Sequence, residues 1–311
     1  MDNKAPTMAA FFALALLKEL GLHVSKRIQL IIGTDEESHW RCVKHYFKHE
    51  EMPMIGFAPD ADFPIIHAEK GIMDVMLTWN EQTSVDGRDE SALKLTHFSA
   101  GERLNMVPDE AYVYIKGEQN DLMKVKELYS RFLERKGLKG ETQLINQQLK
   151  LSCFGKAAHG STPEVGNNAG TELACFLNNN IRLQKDVTTF LTFASLLHED
   201  FFAKQLGLEM EDDVSGRLSI NPGILTCSEN GEAKLGLNIR YPVTMNGEMI
   251  TKKLTAVATK YKGEYQVIDH MELTMLRKTM SLFRRYKAFM SDIPVRRLSC
   301  WLLVVGHMHV P

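Results

Sequence analysis

The sequence predicts a two-domain α/β protein: a parallel-type sheet with packed helices, and a second, α+β domain. Three observations carry this. Helical and strand patterns alternate through the first seventy residues. From about Gly71 the pattern changes to longer, half-exposed strands mixed with helices. The chain has 311 residues, 44% of them hydrophobic and 24% charged, which is enough apolar length for two ordinary cores.

Pro6 suits a first helical turn, the run Thr7 to Leu20 follows, and Gly21 ends it. "KRIQLIIG" is a β-branched run closed by Gly33, hence a buried strand. "ESHWRCVKHYFKHE" has helical spacing, with Trp40, Val43 and Phe47 on one face. "MIGFAPD" is a second short strand. Ligands of such sheets sit beyond the carboxyl ends of the strands, where GTDEES (33 to 38) and Pro59-Asp60 fall.

In the second region "GIMDVMLTW", "SALKLTHFSAG" and "AYVYIKG" are strands, and a helix spans about 120 to 135. "TQLINQQLKLSCFGKAAHG" is a strand pair or one long strand. Helices cover 167 to 180 and 187 to 198. The segment around Asn230-Gly231 is a hairpin with that pair at its turn. A helix from Gly247 to Tyr261 and the strand "YQVIDH" complete the pattern. The expected division is 1–71, 72–264 and a return over 265–311.

Formal net charge is −2, which favours neither nucleic acid nor a membrane surface as a partner. The five cysteines are scattered, with no CxxC pair, as in a reduced, cytoplasmic protein. The apolar stretch "MAAFFALALLKELGL" lacks a basic leader and runs into Lys18 and Glu19, so it is expected to be a packed helix.

Asp35, Glu36 and Glu37 crowd three carboxylates together. They are either a solvated turn before a helix or a hard-cation site with a general base beside it. Asp60, at the end of the next strand, and Asp2, before the first helix, add weight to the cation. A metal there would lower the pKa of bound water from about 15.7 to about 7.

"MDNKAPTMAA", "LIIGTDEES", "FAPDADFPIIHAEKG", "GKAAHGSTPEVGNNAG" and "LGLNIRYPV" together closely resemble the bacterial dipeptidase V (PepV-like) group of zinc metallopeptidases. Carnosinase, aminoacylase and glutamate carboxypeptidases belong to the same wider family. The resemblance runs in order from Met1 to about Glu272. It implies a partial zinc-peptidase catalytic domain with an inserted lid domain, two zinc ions, and hydrolysis of short peptides with a free C-terminal carboxylate. Asp2 matches the bridging ligand, Glu37 and Asp60 match one terminal ligand each, and Glu36 matches the general base. Asn3 stands where the family usually has a second Asp, followed by Lys and Gly.

The resemblance also gives roles to three residues outside the acidic cluster. His159, otherwise a structural histidine, would stabilise the oxyanion. Arg240, otherwise a sheet-surface charge, would grip the substrate carboxylate with its planar fork. Asn105 would line the same pocket. His39, His45, His49 and His67 match no family position.

Two expectations concern the ends. The family's upstream His-x-Asp zinc motif is expected to be missing, because Asp2 is the second residue. The family's closing Gly-Gly-Thr-Tyr-Ala-Arg stretch has no counterpart. Codons GGT-GGG-ACA-TAT-GCA-CGT read one base later give Val-Gly-His-Met-His-Val, which is residues 305 to 310. A frameshift near residue 273 is therefore expected, with His307 and His309 as accidents of reading frame. Without the two imidazole ligands zinc affinity should fall steeply and the fragment should be impaired. The rival readings are a related amidohydrolase (a deacylase or desuccinylase) and a non-catalytic remnant.

Overall fold

The computed structural model describes residues 4–35, 41–54, 56–58, 66–80, 93–275, 284 and 303–305. In chain order the elements begin with α1 (Lys4–Glu19), α2 (Arg41–Tyr46), β1 (Gly56–Ala58), β2 (Ala68–Glu69), β3 (Gly71–Asn80), β4 (Lys94–Ala100) and β5 (Glu110–Lys116). Next come α3 (Gln119–Lys136), β6 (Lys139–Ile145), β7 (Gln148–Phe154), α4 (Ala169–Asn180), α5 (Thr188–Leu196), β8 (Glu211–Asp212) and β9 (Gly216–Arg217). The chain continues through β10 (Ser219–Ser228), β11 (Glu232–Tyr241), α6 (Gly247–Lys260), β12 (Glu264–Met271), β13 (Thr274–Met275) and β14 (Leu303–Val305). It divides into two compact units, Met1–Glu69 with Thr274–Pro311, and Lys70–Leu273.

In the first unit α1 ends as the sequence requires. Gly21 adopts φ +63°, and Leu22 N–H reaches back to Leu17 O at 3.1 Å. The expected strand over 26–33 does not form, and this corrects the sequence reading. A strand exists through its ladder partner. Here β1 pairs antiparallel with β14, not with 26–33, and Ile28 and Ile32 stay exposed. The mixed α/β class holds, yet every named strand pairing among the described residues is antiparallel. Asp35 accepts from the Arg41 backbone N–H at 3.0 Å and from Arg41 Nε at 3.2 Å, so its carboxylate caps α2.

The second unit is built on an eight-stranded sheet of order β12-β3-β11-β10-β4-β5-β7-β6. Period-two alternation makes one face apolar. Met73, Val75, Leu77 and Trp79 of β3 face Leu235, Leu237 and Ile239 of β11 there. Helices close over that face. Trp79 meets Phe190 and Phe193 of α5 edge-on or tilted, and its Nε1–H donates to Tyr261 O at 2.8 Å. Leu122, Val125, Tyr129 and Phe132 form the buried stripe of α3. Asn168 and Asn246 cap α4 and α6 by accepting from Thr171 N–H and Glu248 N–H.

Two hairpin turns follow their residues. β6 and β7 join through Asn146 and Gln147, both at positive φ, and β10 and β11 join around Asn230-Gly231. β12 pairs along β3, so the unit ends at Leu273, later than the boundary expected at 264. Among the described residues no helix is long and apolar enough to cross a membrane.

Candidate functional site

The face of the large sheet opposite the helices carries an unusual polar row. Asp74 on β3 pairs in register with Asn238 on β11, and Asn238 pairs with Asn221 on β10. Three polar side chains therefore cross three adjacent central strands. Both asparagines are fully buried, and of their side-chain polar atoms all but Asn221 Oδ1 find a hydrogen-bond partner. Asn238 Nδ2 donates to Asp74 Oδ1 at 2.6 Å, and Asn238 Oδ1 accepts from Arg240 Nε at 3.3 Å. Asn221 Nδ2 donates to Leu104 O at 2.8 Å and Met106 O at 2.9 Å.

Those bonds pin the 101–107 loop onto the sheet. A bulge in β10 between Pro222 and Ile224 makes room for it. A side chain at Gly223 would strike Leu104 O at 2.4 Å, so the close approach requires glycine there. The 155–160 segment docks beside the loop. Val107 N–H donates to Ala158 O at 2.9 Å, and Gly160 N–H donates to Asn105 O at 2.7 Å. Gly160 packs so tightly that an added Cβ would lie 3.0 Å from Asn238 Oδ1 and 3.1 Å from Asn105 O.

Three residues singled out from sequence are thus gathered. Asn105 holds Gly160 through its backbone, His159 precedes Gly160, and Gly160 lies on the asparagine that orients Arg240. The ring of His159 is exposed and its tautomer is set by neighbours. Its Nδ1 accepts from the Ser161 backbone N–H at 3.3 Å and lies 2.7 Å from Ser161 Oγ. A nitrogen that accepts a backbone N–H holds the lone pair, so in the neutral ring Nε2 carries the proton. His159 therefore presents an N–H donor.

The charge around Arg240 is strained. Burial holds its guanidinium below the ordinary arginine range, and Asp74 opposes that shift. Burial and the Arg240 charge lower Lys70, against Asp212 and Glu164. Burial raises Asp74, while the Asn238 bond and Arg240 act the other way. Arg240 thus has Asp74 as its opposing carboxylate, while Asp212 and Glu164 act on Lys70.

Asp2, Glu36, Glu37 and Asp60 lie outside the described residues, as do His39, His307 and His309. His45 and His49 have ring centroids 5.0 Å apart. Among the described residues the group able to offer three metal-ligand atoms is Glu172, His198 and Glu199, none of them an expected zinc ligand. Sequence reasoning missed Asp74, Asn221 and Asn238. Polar residues inside the apolar runs "LSINPGIL" and "LGLNIRY" were the available signal.

A family model described as peptidase family M20/M25/M40 matches residues 1–296. YtjP of Bacillus subtilis, provisionally named a dipeptidase, is 42% identical over 266 residues, covering 86% of this chain and 56% of that protein. A Staphylococcus saprophyticus protein, SSP1012, carries the same provisional name and is 40% identical over 267 residues, covering 86% and 55%. The chain spans about half the length of these curated relatives. Among solved structures, aminoacylhistidine dipeptidase from Vibrio alginolyticus aligns with TM-score 0.38 and 11% identity, covering 80% of this chain and 54% of that one.

Proposed function

The chain belongs to peptidase family M20/M25/M40, and from that premise we propose that it acts, in impaired form, in zinc-dependent hydrolysis of dipeptides with a free C-terminal carboxylate. Asp2, Glu37 and Asp60 would supply carboxylate oxygens to two zinc ions, a donor set weaker for zinc than one that includes imidazole nitrogen. When bound, such a pair supplies Lewis-acid polarisation and a water acidic enough to attack at neutral pH. Short peptides would be the partners and the cytoplasm the setting, where scattered thiols stay reduced.

The chain's own residues divide the remaining work. Glu36 would take the proton of the attacking water at its carboxylate. His159 would donate from Nε2–H to the oxygen on which negative charge develops, and a neutral donor does this without first losing a proton. Arg240 would bind the substrate carboxylate, with Asn238 fixing its Nε and Asp74 fixing Asn238. Asn105 would keep Gly160, and hence His159, beside that grip.

The observation that carries this reading is the linkage of His159 to Arg240 through Gly160 and Asn238. The test is a substrate panel on zinc-loaded protein: dipeptides, N-acetyl amino acids and N-succinyl amino acids. Dipeptides should be cleaved, at the reduced rate of an impaired chain, and His159→Ala should lower kcat more than it raises KM. Cleavage confined to N-acyl substrates, or no cleavage by the loaded protein, would overturn the proposal.

A further inference from the structure

Glu172 on α4, and His198 and Glu199 just beyond the C-terminal end of α5, form a second cluster that the proposed reaction does not use. His198 Nε2 lies 3.6 Å from Glu172 Oε1 and 3.8 Å from Glu199 Oε1. The Glu172 side chain is 5% exposed, and its Oε2 makes no hydrogen bond. His198 Nε2 is likewise buried without a hydrogen bond. Buried polar atoms without a hydrogen bond are uncommon and call for an explanation.

The second nitrogen of the ring shows what is missing. Thr171 Oγ1 donates to Asn168 O at 3.2 Å, so its proton is already engaged. His198 Nδ1 lies 3.3 Å from that same oxygen, and while the hydroxyl keeps its bond to Asn168 the ring is the donor of this pair. With the proton on Nδ1, Nε2 turns a lone pair toward two carboxylates, an arrangement that is repulsive unless something positive sits between them. Metal-binding histidines are held by a hydrogen bond from the ring N–H that faces away from the metal.

We propose that Glu172, His198 and Glu199 hold a divalent zinc-type cation, separate from the pair proposed for hydrolysis. The separations favour a metal over a proton. An N–H···O bond closes to about 2.9–3.0 Å, shorter than either distance here. Donors placed tetrahedrally around zinc at their usual bond lengths lie about 3.3–3.6 Å from one another, within a few tenths of the observed spacing. One imidazole and two carboxylates leave a fourth position for water. Glu199, 68% exposed in its side chain, gives the ion a route in from solvent. Its φ of +57° is rare for a non-glycine residue.

Lys136 is the competitor. Its Nζ lies 4.0 Å from Glu172 Oε2, and its side chain is 40% exposed and free to swing away. Removing that charge should help a metal and should weaken a merely structural ion pair.

The test is equilibrium dialysis of the metal-stripped full chain against Zn²⁺, with His198 ring nitrogen resonances followed alongside. Wild type should bind one more equivalent than His198→Ala. Glu199→Gln, a surface change that leaves the fold intact, should weaken that equivalent about tenfold or more. Lys136→Gln should tighten it, and the Nε2 resonance should shift with zinc. Equal zinc uptake by wild type and both ligand variants would overturn the site, as would weaker binding in Lys136→Gln. Glu37→Gln separates the two proposals, because it should remove hydrolytic zinc and leave the His198-dependent equivalent in place.

Discussion

Asn238 and Asp74 face each other across the β11–β3 ladder, with Asn238 Nδ2 donating to Asp74 Oδ1 at 2.6 Å. The same amide accepts from Arg240 Nε, so one buried side chain orients both a carboxylate and a guanidinium. Asn238→Ala removes both bonds and leaves Asp74 half-buried without its donor. Denaturant unfolding should show a loss of about 1–3 kcal/mol. Asp74→Asn should be milder at neutral pH, because burial already raises the Asp74 pKa and the substitution removes the disfavoured charge.

Gly160→Ala tests the seam between the 155–160 segment and the sheet. The new Cβ would sit 3.0 Å from Asn238 Oδ1 and 3.1 Å from Asn105 O. Both neighbours are held by hydrogen bonds and can yield only slightly. Thermal unfolding should report a loss of about 1–3 kcal/mol, and the His159 ring resonances should move.

Asp212 supplies a pH dependence. Burial works against its ionised form, but donors from the Ser215 backbone and hydroxyl, Thr244 and Val214 outweigh that, and its pKa falls well below the usual carboxylate range. A depressed folded pKa gives stability that is present above the unfolded value, about 3.9, and is lost as pH falls through the folded one. Asp212→Asn should therefore melt below wild type at neutral pH. The two should converge in strong acid, as followed by circular dichroism.

Thiol reactivity should rank by environment. Burial pushes Cys153 up to about 12 and Cys175 up to about 11. Hydrogen bonding from the Thr34 backbone N–H leads the lowering of Cys42. The thiolate is the nucleophile. Iodoacetamide at pH 7.5, followed by peptide mapping, should label Cys42 well before Cys153 or Cys175, and unfolding should erase the difference.

Local chemistry was legible in the sequence where it acts locally. Gly21, Asn230-Gly231 and the strand alternation from Gly71 onward each specify their geometry within a few residues. The segment 26–33 was not legible, because its β-branched pattern says nothing about whether a partner strand pairs with it. Asp35 shows the same limit. Its position beside Glu36 and Glu37 fits either a metal or a helix cap, and only the Arg41 backbone bond reveals the cap.

The candidate site was half legible. His159, Asn105 and Arg240 came from motifs. The row that joins them did not, because Asp74 meets Asn238 only through strand pairing across more than a hundred residues of sequence, although Asn221 and Asn238 lie in one hairpin. The tautomer of His159 likewise depends on how Ser161 folds back onto the ring.

The central claim is that Arg240, held by Asn238 beside His159, grips a substrate carboxylate. It is tested most directly by following the Arg240 Nε–H and Gly160 amide resonances while the protein is titrated with a dipeptide and, separately, with its C-terminal amide. Both resonances should shift and saturate with the free acid, respond far less to the amide, and, for Gly160, stay still in Arg240→Ala. Equal shifts with acid and amide, or no shift with either, would contradict the claim.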